Sequence, residues 1–219
     1  MIRQLPSQLD RTEALRYLGG AGKEVPPAVE TLLDKAAAEL WHTATPRAAV
    51  RRVEADKLAP LLAGKDIAAH MKGCDEGLLL AVTLGAGVDS ALRRAMATDM
   101  AYGVVLDAAA STLVEQLADA LEAEQRAMLE KEGRYLTGRF SPGYGDWPIT
   151  VQPAFVQWLD AGRQAGLCAT ASCVLTPGKS ITALCGVADH PVKGKLAGCA
   201  TCALRDTCTK RKEGKPCAQ

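Results

Sequence analysis

The chain has 219 residues, 48% of them hydrophobic, which is enough to bury one sizeable core or two small ones. No apolar run approaches the ~18 residues of a membrane span, and the opening MIRQLPSQLD lacks the apolar core of a signal peptide, so neither is expected and the cytoplasm is the expected compartment. Formal net charge is +1, but seven basic and two acidic residues between Lys193 and Cys217 put +5 on that segment and leave about −4 on the rest; a basic stretch this short and poor in aromatics argues for an anionic protein or cofactor as its partner rather than nucleic acid.

In chain order, RTEALRYLG and PPAVETLLDKAAAELWH both read as helix, the second opened by Pro26 and Pro27, where a missing N–H costs nothing. AVRRVEADKL alternates weakly, as a strand does. GKDIAAHMKG predicts a short helix closed by Gly73. EGLLLAVTLG, Glu76 to Gly85, is an apolar run between glycines with the length of a buried strand. From Asp99 the pattern turns helical for over thirty residues, with Leu106, Ala110, Leu113, Leu117 and Leu121 on one stripe and Asp107, Ser111, Glu115, Asp119 and Glu122 on other faces, until Gly133. After RFSPGYGDWP a helix is expected over about Gln152 to Ala165. Two short strands follow, LCATASCVL and SITALCGVA, joined by the turn TPGK. Beyond His190 the chain is rich in Gly, Lys and Cys and has too few apolar residues to fold alone without a ligand.

The segment RFSPGYGDWP, Arg139 to Pro148, sets two aromatics, an arginine and an aspartate among two glycines and two prolines. A surface turn needs only the Gly and Pro. Followed by ITVQ and then AGLCATASCVLTPGKSITALCGVA, it resembles the activation (AdoMet-binding) domain of cobalamin-dependent methionine synthase, and more closely the free-standing version found in some anaerobic bacteria. The upstream LLLAVTLGAGVDSALRRAMATDMAYGVVLDAAASTLVEQLADAL is similar to that family's strand, its VTxG end and its long helix with an inward Glu. The likeness covers roughly Glu76 to Ala188.

The resemblance implies an α+β fold, a bent and mostly antiparallel sheet with long helices. Together with the helix signals over about 10–42 it makes residues 1–190 one activation-domain-like unit, while composition sets off residues 191–219 as a basic, Cys-rich tail. The resemblance also implies a function: binding S-adenosylmethionine and supporting the reductive methylation of a Co(II) corrinoid, here in trans. The cobalamin would be supplied by a partner, a corrinoid-binding methionine synthase lacking its own activation domain, with no nucleic acid or membrane involved. By the same resemblance Arg139 matches the arginine that holds the AdoMet carboxylate, a task suited to a guanidinium fork. Ser141 and Gly143 match positions where the backbone approaches the cofactor. Tyr144 matches the ring near the methyl group and the corrin face, the catalytic position. Glu115 matches the helix carboxylate that balances the amino group or sulfonium. Lys179 and Ser180 are either ligand contacts or plain turn residues.

The chain departs from the family pattern in two places. Around LRYLGG there is no aspartate in register with the one that holds the AdoMet amino group, and HPVKGKLAGCATCALRDTC stands where the full-length enzyme has a tyrosine pair. Its histidines, His42, His70 and His190, fit no motif for a lower axial cobalt ligand.

Half of the eight cysteines lie in the last 21 residues. Cys199, Cys202, Cys208 and Cys217 are separated by two, five and eight residues. A Cys-x2-Cys pair is a metal-chelating arm, and four thiolates suit either zinc or an iron–sulfur cluster. Disordered reduced thiols are the alternative. Cys185 is a substitute ligand for Cys217, while Cys74, Cys168 and Cys173 read as small buried apolar residues. Two functions follow: a methyltransferase-type reactivation subunit, or a non-catalytic metal-stapled or redox adaptor that docks on a corrinoid protein.

Overall fold

The computed structural model describes residues 4–20 and 24–192. Its frame is a four-stranded antiparallel sheet in the order β1-β2-β6-β3, made of β1 (Arg47–Glu54), β2 (Glu76–Thr83), β6 (Ser180–Ala188) and the short β3 (Tyr135–Leu136). β2 is buried along nearly its whole length because both faces are covered. Leu78, Leu80 and Val82 point into one apolar core with Ala183, Cys185 and Val187 of β6; Leu79 and Ala81 point into a second core with Leu184. That two-sided burial is why the β2 sequence is a continuous apolar run rather than an alternating one.

Four helices cover the first face. They are α1 (Arg11–Tyr17), α2 (Pro27–Thr43), α4 (Ala86–Thr98) and the 32-residue α5 (Met100–Lys131), which at ~1.5 Å per residue is about 48 Å long. The expected stripe Leu106, Ala110, Leu113, Leu117 and Leu121 is buried in this core. Asp99 caps α5 by accepting a hydrogen bond from Tyr102 N at 3.1 Å. α1 is tied across α5 by Gln116, whose Oε1 accepts from Asp10 N and whose Nε2 donates to Gln8 O, each at 3.1 Å. On the second face lie α3 (Lys65–His70), α6 (Gln152–Trp158) and α7 (Ala161–Ala165), packed with Phe140 and Trp147 of the segment that follows β3.

The α+β class, the antiparallel sheet and the long helices agree with expectation. Three details differ. The stretch between Gly85 and Asp99 forms its own helix, α4. The helix expected over Gln152 to Ala165 is two helices, broken at Asp160, whose φ is 52°. The two strands expected around TPGK do not pair with each other. LCATASCVL closes on itself as the hairpin β4 (Cys168–Ala169) and β5 (Leu175–Thr176), with Cys173 in the left-handed region at its turn. SITALCGVA instead becomes β6, between β2 and β3. A strand this apolar needs two neighbours and two covered faces, which a lone hairpin does not provide. No described helix is long and apolar enough to cross a membrane.

Candidate functional site

The site is built where β3 runs along β6 and continues into the glycine-rich loop. Thr137 N bonds Gly186 O, and Phe140 exchanges two backbone hydrogen bonds with Leu184, all at 2.9 Å. Phe140 faces the second core. Its neighbour Arg139 therefore projects to the opposite side of the strand, toward α5.

Beyond Phe140 the loop is fixed at several points. Tyr144 N bonds Ser141 O, Trp147 N bonds Tyr144 O, and Gly143 N bonds Trp147 O, at 2.9–3.0 Å. Trp147 is buried and donates from Nε1 to Leu61 O at 2.7 Å. Asp146 accepts from Lys65 N and Asp66 N, both at 2.8 Å, and so closes the N-terminus of α3. Gly143 and Gly145 have φ of +93° and +53°, and a Cβ on Gly145 would lie 2.2 Å from Asp66 Oδ2. Only glycine satisfies both the backbone sign and that approach. Pro142 and Trp147 anchor the loop, and Tyr144 between them is left 49% exposed.

Arg139 reaches the polar stripe of α5. Its Nη2 lies 2.5 Å from Asp119 and 3.3 Å from Glu115, and its Nε lies 3.4 Å from Glu122. Its side chain is only 18% exposed, and its buried Nη1 has no hydrogen-bond partner among the described residues. Glu122 is shared with Arg126, 2.8 Å away. Burial pushes the Glu115 carboxyl above the usual range; Asp119 and Glu13 add to this, while Arg139 and Arg16 oppose it. Burial also raises the phenols of Tyr144 and Tyr17, and the Glu115 charge raises both further. The Tyr144 ring meets the Phe140 ring edge-on at 6.2 Å.

Of the expected site residues, Arg139, Glu115 and Tyr144 come together around α5, with Ser141 and Gly143 in the loop that carries Tyr144. Four further residues border the same place. Asp119 and Glu122 complete the carboxylate set. Glu13 and Tyr17 of α1 stand in the electrostatic field of Glu115. The spacing Glu115, Asp119, Glu122 is a helical i, i+4, i+7 stripe and was readable as such. Nothing in the sequence joins α1 to it, because the contact spans about a hundred residues.

Lys179 is held within the fold by Asp107 at 2.9 Å and Ser111 at 2.8 Å, and Ser180 Oγ lies within hydrogen-bond distance of both Pro177 O, at 2.6 Å, and the Thr83 hydroxyl, at 2.8 Å. Both behave as turn residues that fasten β6 to its neighbours.

Cys199, Cys202, Cys208 and Cys217 lie outside the described residues. Among those described, no group of three or more His, Cys, Asp or Glu is placed to hold a metal. Cys185 is not a substitute ligand: it is fully buried opposite Leu78 in the first core, and that burial drives its thiol pKa far upward. Cys74 is half-buried and packs against the second core, in line with expectation, whereas Cys168 is exposed and Cys173 only half-buried at the hairpin turn. Cys168 lies on the edge of the small hairpin, where no second sheet covers it.

No protein-family model matches the chain, and no curated protein matches it. Its fold does have a solved counterpart. The architecture is that of a methionine synthase activation domain. One structure it is similar to is the MetH reactivation domain bound to AdoHcy, with a TM-score of 0.60 over 95% of this chain and 82% of that one, at 20% identity.

Proposed function

We propose that the chain binds S-adenosylmethionine between the Arg139–Tyr144 loop and α5, and supports reductive methylation of a Co(II) corrinoid held by a methionine synthase that lacks its own activation domain. The observation that carries this is Arg139. It is a nearly buried guanidinium beside the exposed Tyr144 ring, and it has one partnerless nitrogen. That nitrogen suits one oxygen of an amino-acid carboxylate. Glu115 and Asp119 suit the ammonium and sulfonium of the same ligand, and the turn around Ser141 and Gly143, where the glycine carries no side chain, leaves room for close approach. AdoMet would supply the methyl group and the partner would supply cobalamin. This chain's residues would bind and orient: Arg139 at the carboxylate, Glu115 at the cationic end, and Tyr144 as the ring that faces the corrin and keeps water from the reacting side.

The adaptor reading stays in view for one reason. Arg139 Nη2 and Nε already engage three acids of the chain itself, so a ligand carboxylate has to share the guanidinium with them. For the tail we propose that the four thiolates Cys199, Cys202, Cys208 and Cys217 take zinc or an iron–sulfur cluster, with residues 191–219 acting as a unit separate from 1–190. The cytoplasm, a reducing compartment, suits free thiols and such ligands. Calorimetric titration with AdoMet tests the main reading. Saturable one-to-one binding supports it. Heats no larger than dilution at millimolar AdoMet remove it and leave the adaptor.

A further inference from the structure

A histidine is buried on the far side of the strand that carries Arg139. His70, the last residue of α3, is 1% exposed, and its Nε2 lies 2.9 Å from the hydroxyl of the equally buried Thr137. The same hydroxyl accepts from Gly186 N at 2.8 Å and lies 3.0 Å from Gly138 O. A hydroxyl has one proton to give and two lone pairs. All three contacts are satisfied together when Thr137 donates to Gly138 O and His70 donates from Nε2. The His70 ring also lies against the Phe140 ring, 5.1 Å between centroids, and Phe140 in turn meets Tyr144 edge-on. His70 therefore touches the residues two before and one after Arg139. Asp146 binds the other end of the same helix through Lys65 N and Asp66 N, so α3 holds the segment from Thr137 to Asp146 at both ends. An apolar side chain would fill this space without the cost of burying a polar ring, and would leave the direction of the strand unfixed.

We propose that His70 is a positioning residue for the binding loop: through the Thr137 hydroxyl and the Phe140 ring it fixes where Arg139 leaves the sheet and where the Tyr144 ring stands. His70 lies on the face opposite Arg139 and acts across the strand, not on the ligand. With α3 as the frame, a shift at either end of that helix moves the guanidinium and the ring together. For AdoMet the inference rests on the proposed site; the hold on the loop does not.

The test compares His70→Leu, which keeps the bulk and loses the donor, with His70→Gln, whose amide nitrogen can stand in for Nε2. Amide hydrogen exchange reads the loop at Gly143, Tyr144 and Trp147, whose N–H groups are bonded within it, and calorimetry reads AdoMet. In His70→Leu those amides should exchange about fivefold faster and AdoMet should bind about fivefold more weakly, the scale of one hydrogen bond, with the amides of β2 and α5 unchanged. His70→Gln should bring both back to within about twofold of wild type. His70→Asn, as polar as Gln but too short to reach Thr137, replaces the leucine variant if that one fails to fold. A loop that exchanges as in the wild type, a loosening spread evenly over β2 and α5, a Gln variant no better than Leu, or a loosened loop with AdoMet affinity unchanged each overturns the positioning role. If the wild type itself binds no AdoMet, the ligand reading falls, and loop exchange alone decides whether His70 holds the loop.

Discussion

Arg139 is the residue on which the site turns. Its position follows from strand alternation beside Phe140, and its partners from one stripe of α5. On the proposed reading its guanidinium hydrogen-bonds the ligand carboxylate, so Arg139→Ala should weaken AdoMet binding by about 1.5–3 kcal/mol in calorimetric titration. Unchanged affinity would take Arg139 out of the site. Glu115 permits a test that needs no ligand. Its carboxyl is raised in the folded state, chiefly by burial. A raised carboxyl favours the protonated fold: its contribution to stability is present below the ordinary carboxylate range, near ~4.3, and is lost as pH rises through the higher folded value. Glu115→Gln should therefore raise the melting temperature at pH ~7, and the gain should shrink toward zero below pH ~4. A Gln variant that is less stable at neutral pH would show that the pair with Arg139 outweighs the burial. Arg139 and Tyr144 could be singled out from the sequence because the Pro-Gly-Tyr block is specific. Tyr17 and Glu13 could not, since no local pattern links them to α5.

At the scale of elements, the loop from Arg139 to Pro148 is held by a reciprocal clamp to α3. Asp146 accepts from Lys65 N and Asp66 N, and Asp66 accepts in turn from Asp146 N at 3.3 Å. This answers why an aspartate stands among the glycines and aromatics. Asp146→Ala should cost about 1–2 kcal/mol in urea denaturation, the range for a lost helix cap, with little change in slope. It should also weaken AdoMet, because Tyr144 is presented from the same loop. Stability within a few tenths of a kcal/mol of wild type would mean the clamp is not holding the loop. The elements legible from sequence were those with long, unambiguous periods, such as α2, β2 and α5. The error at the hairpin has a physical cause. TPGK carries strong turn chemistry, but turn residues do not say which strands pair. β6 is buried from Thr182 to Ala188 and finds its partners in β2 and β3, one of them about a hundred residues away in sequence. The break at Asp160 was equally hidden, because a single non-glycine residue in the left-handed region leaves no compositional mark.

At the scale of the molecule, the class of fold was readable through resemblance and the three-layer arrangement was not. Two-sided burial of β2 predicts covered faces but does not say which helices cover which. That arrangement sets the function to be tested. The α5 face of the sheet carries Arg139, Glu115 and Tyr144, and on the proposed reading a second protein brings the corrinoid to it. The basic segment from Lys193 to Cys217, at +5, favours an acidic surface or the corrin phosphate side chain. Such steering fades with salt, as the Debye length falls from about 10 Å at 0.1 M to about 3 Å at 1 M. Mixed with a Co(II)-corrinoid methionine synthase, a low-potential reductant and AdoMet, the chain should therefore discharge the Co(II) visible spectrum, faster at low salt and more slowly after Tyr144→Ala. Tyr144 is half exposed and meets the core only at the edge of the Phe140 ring, so that variant should cost little stability, which separates a lost ring from a lost fold. If the Co(II) spectrum persists under every reductant while calorimetry shows AdoMet bound, the chain binds the methyl donor without delivering it, and the adaptor reading replaces reactivation.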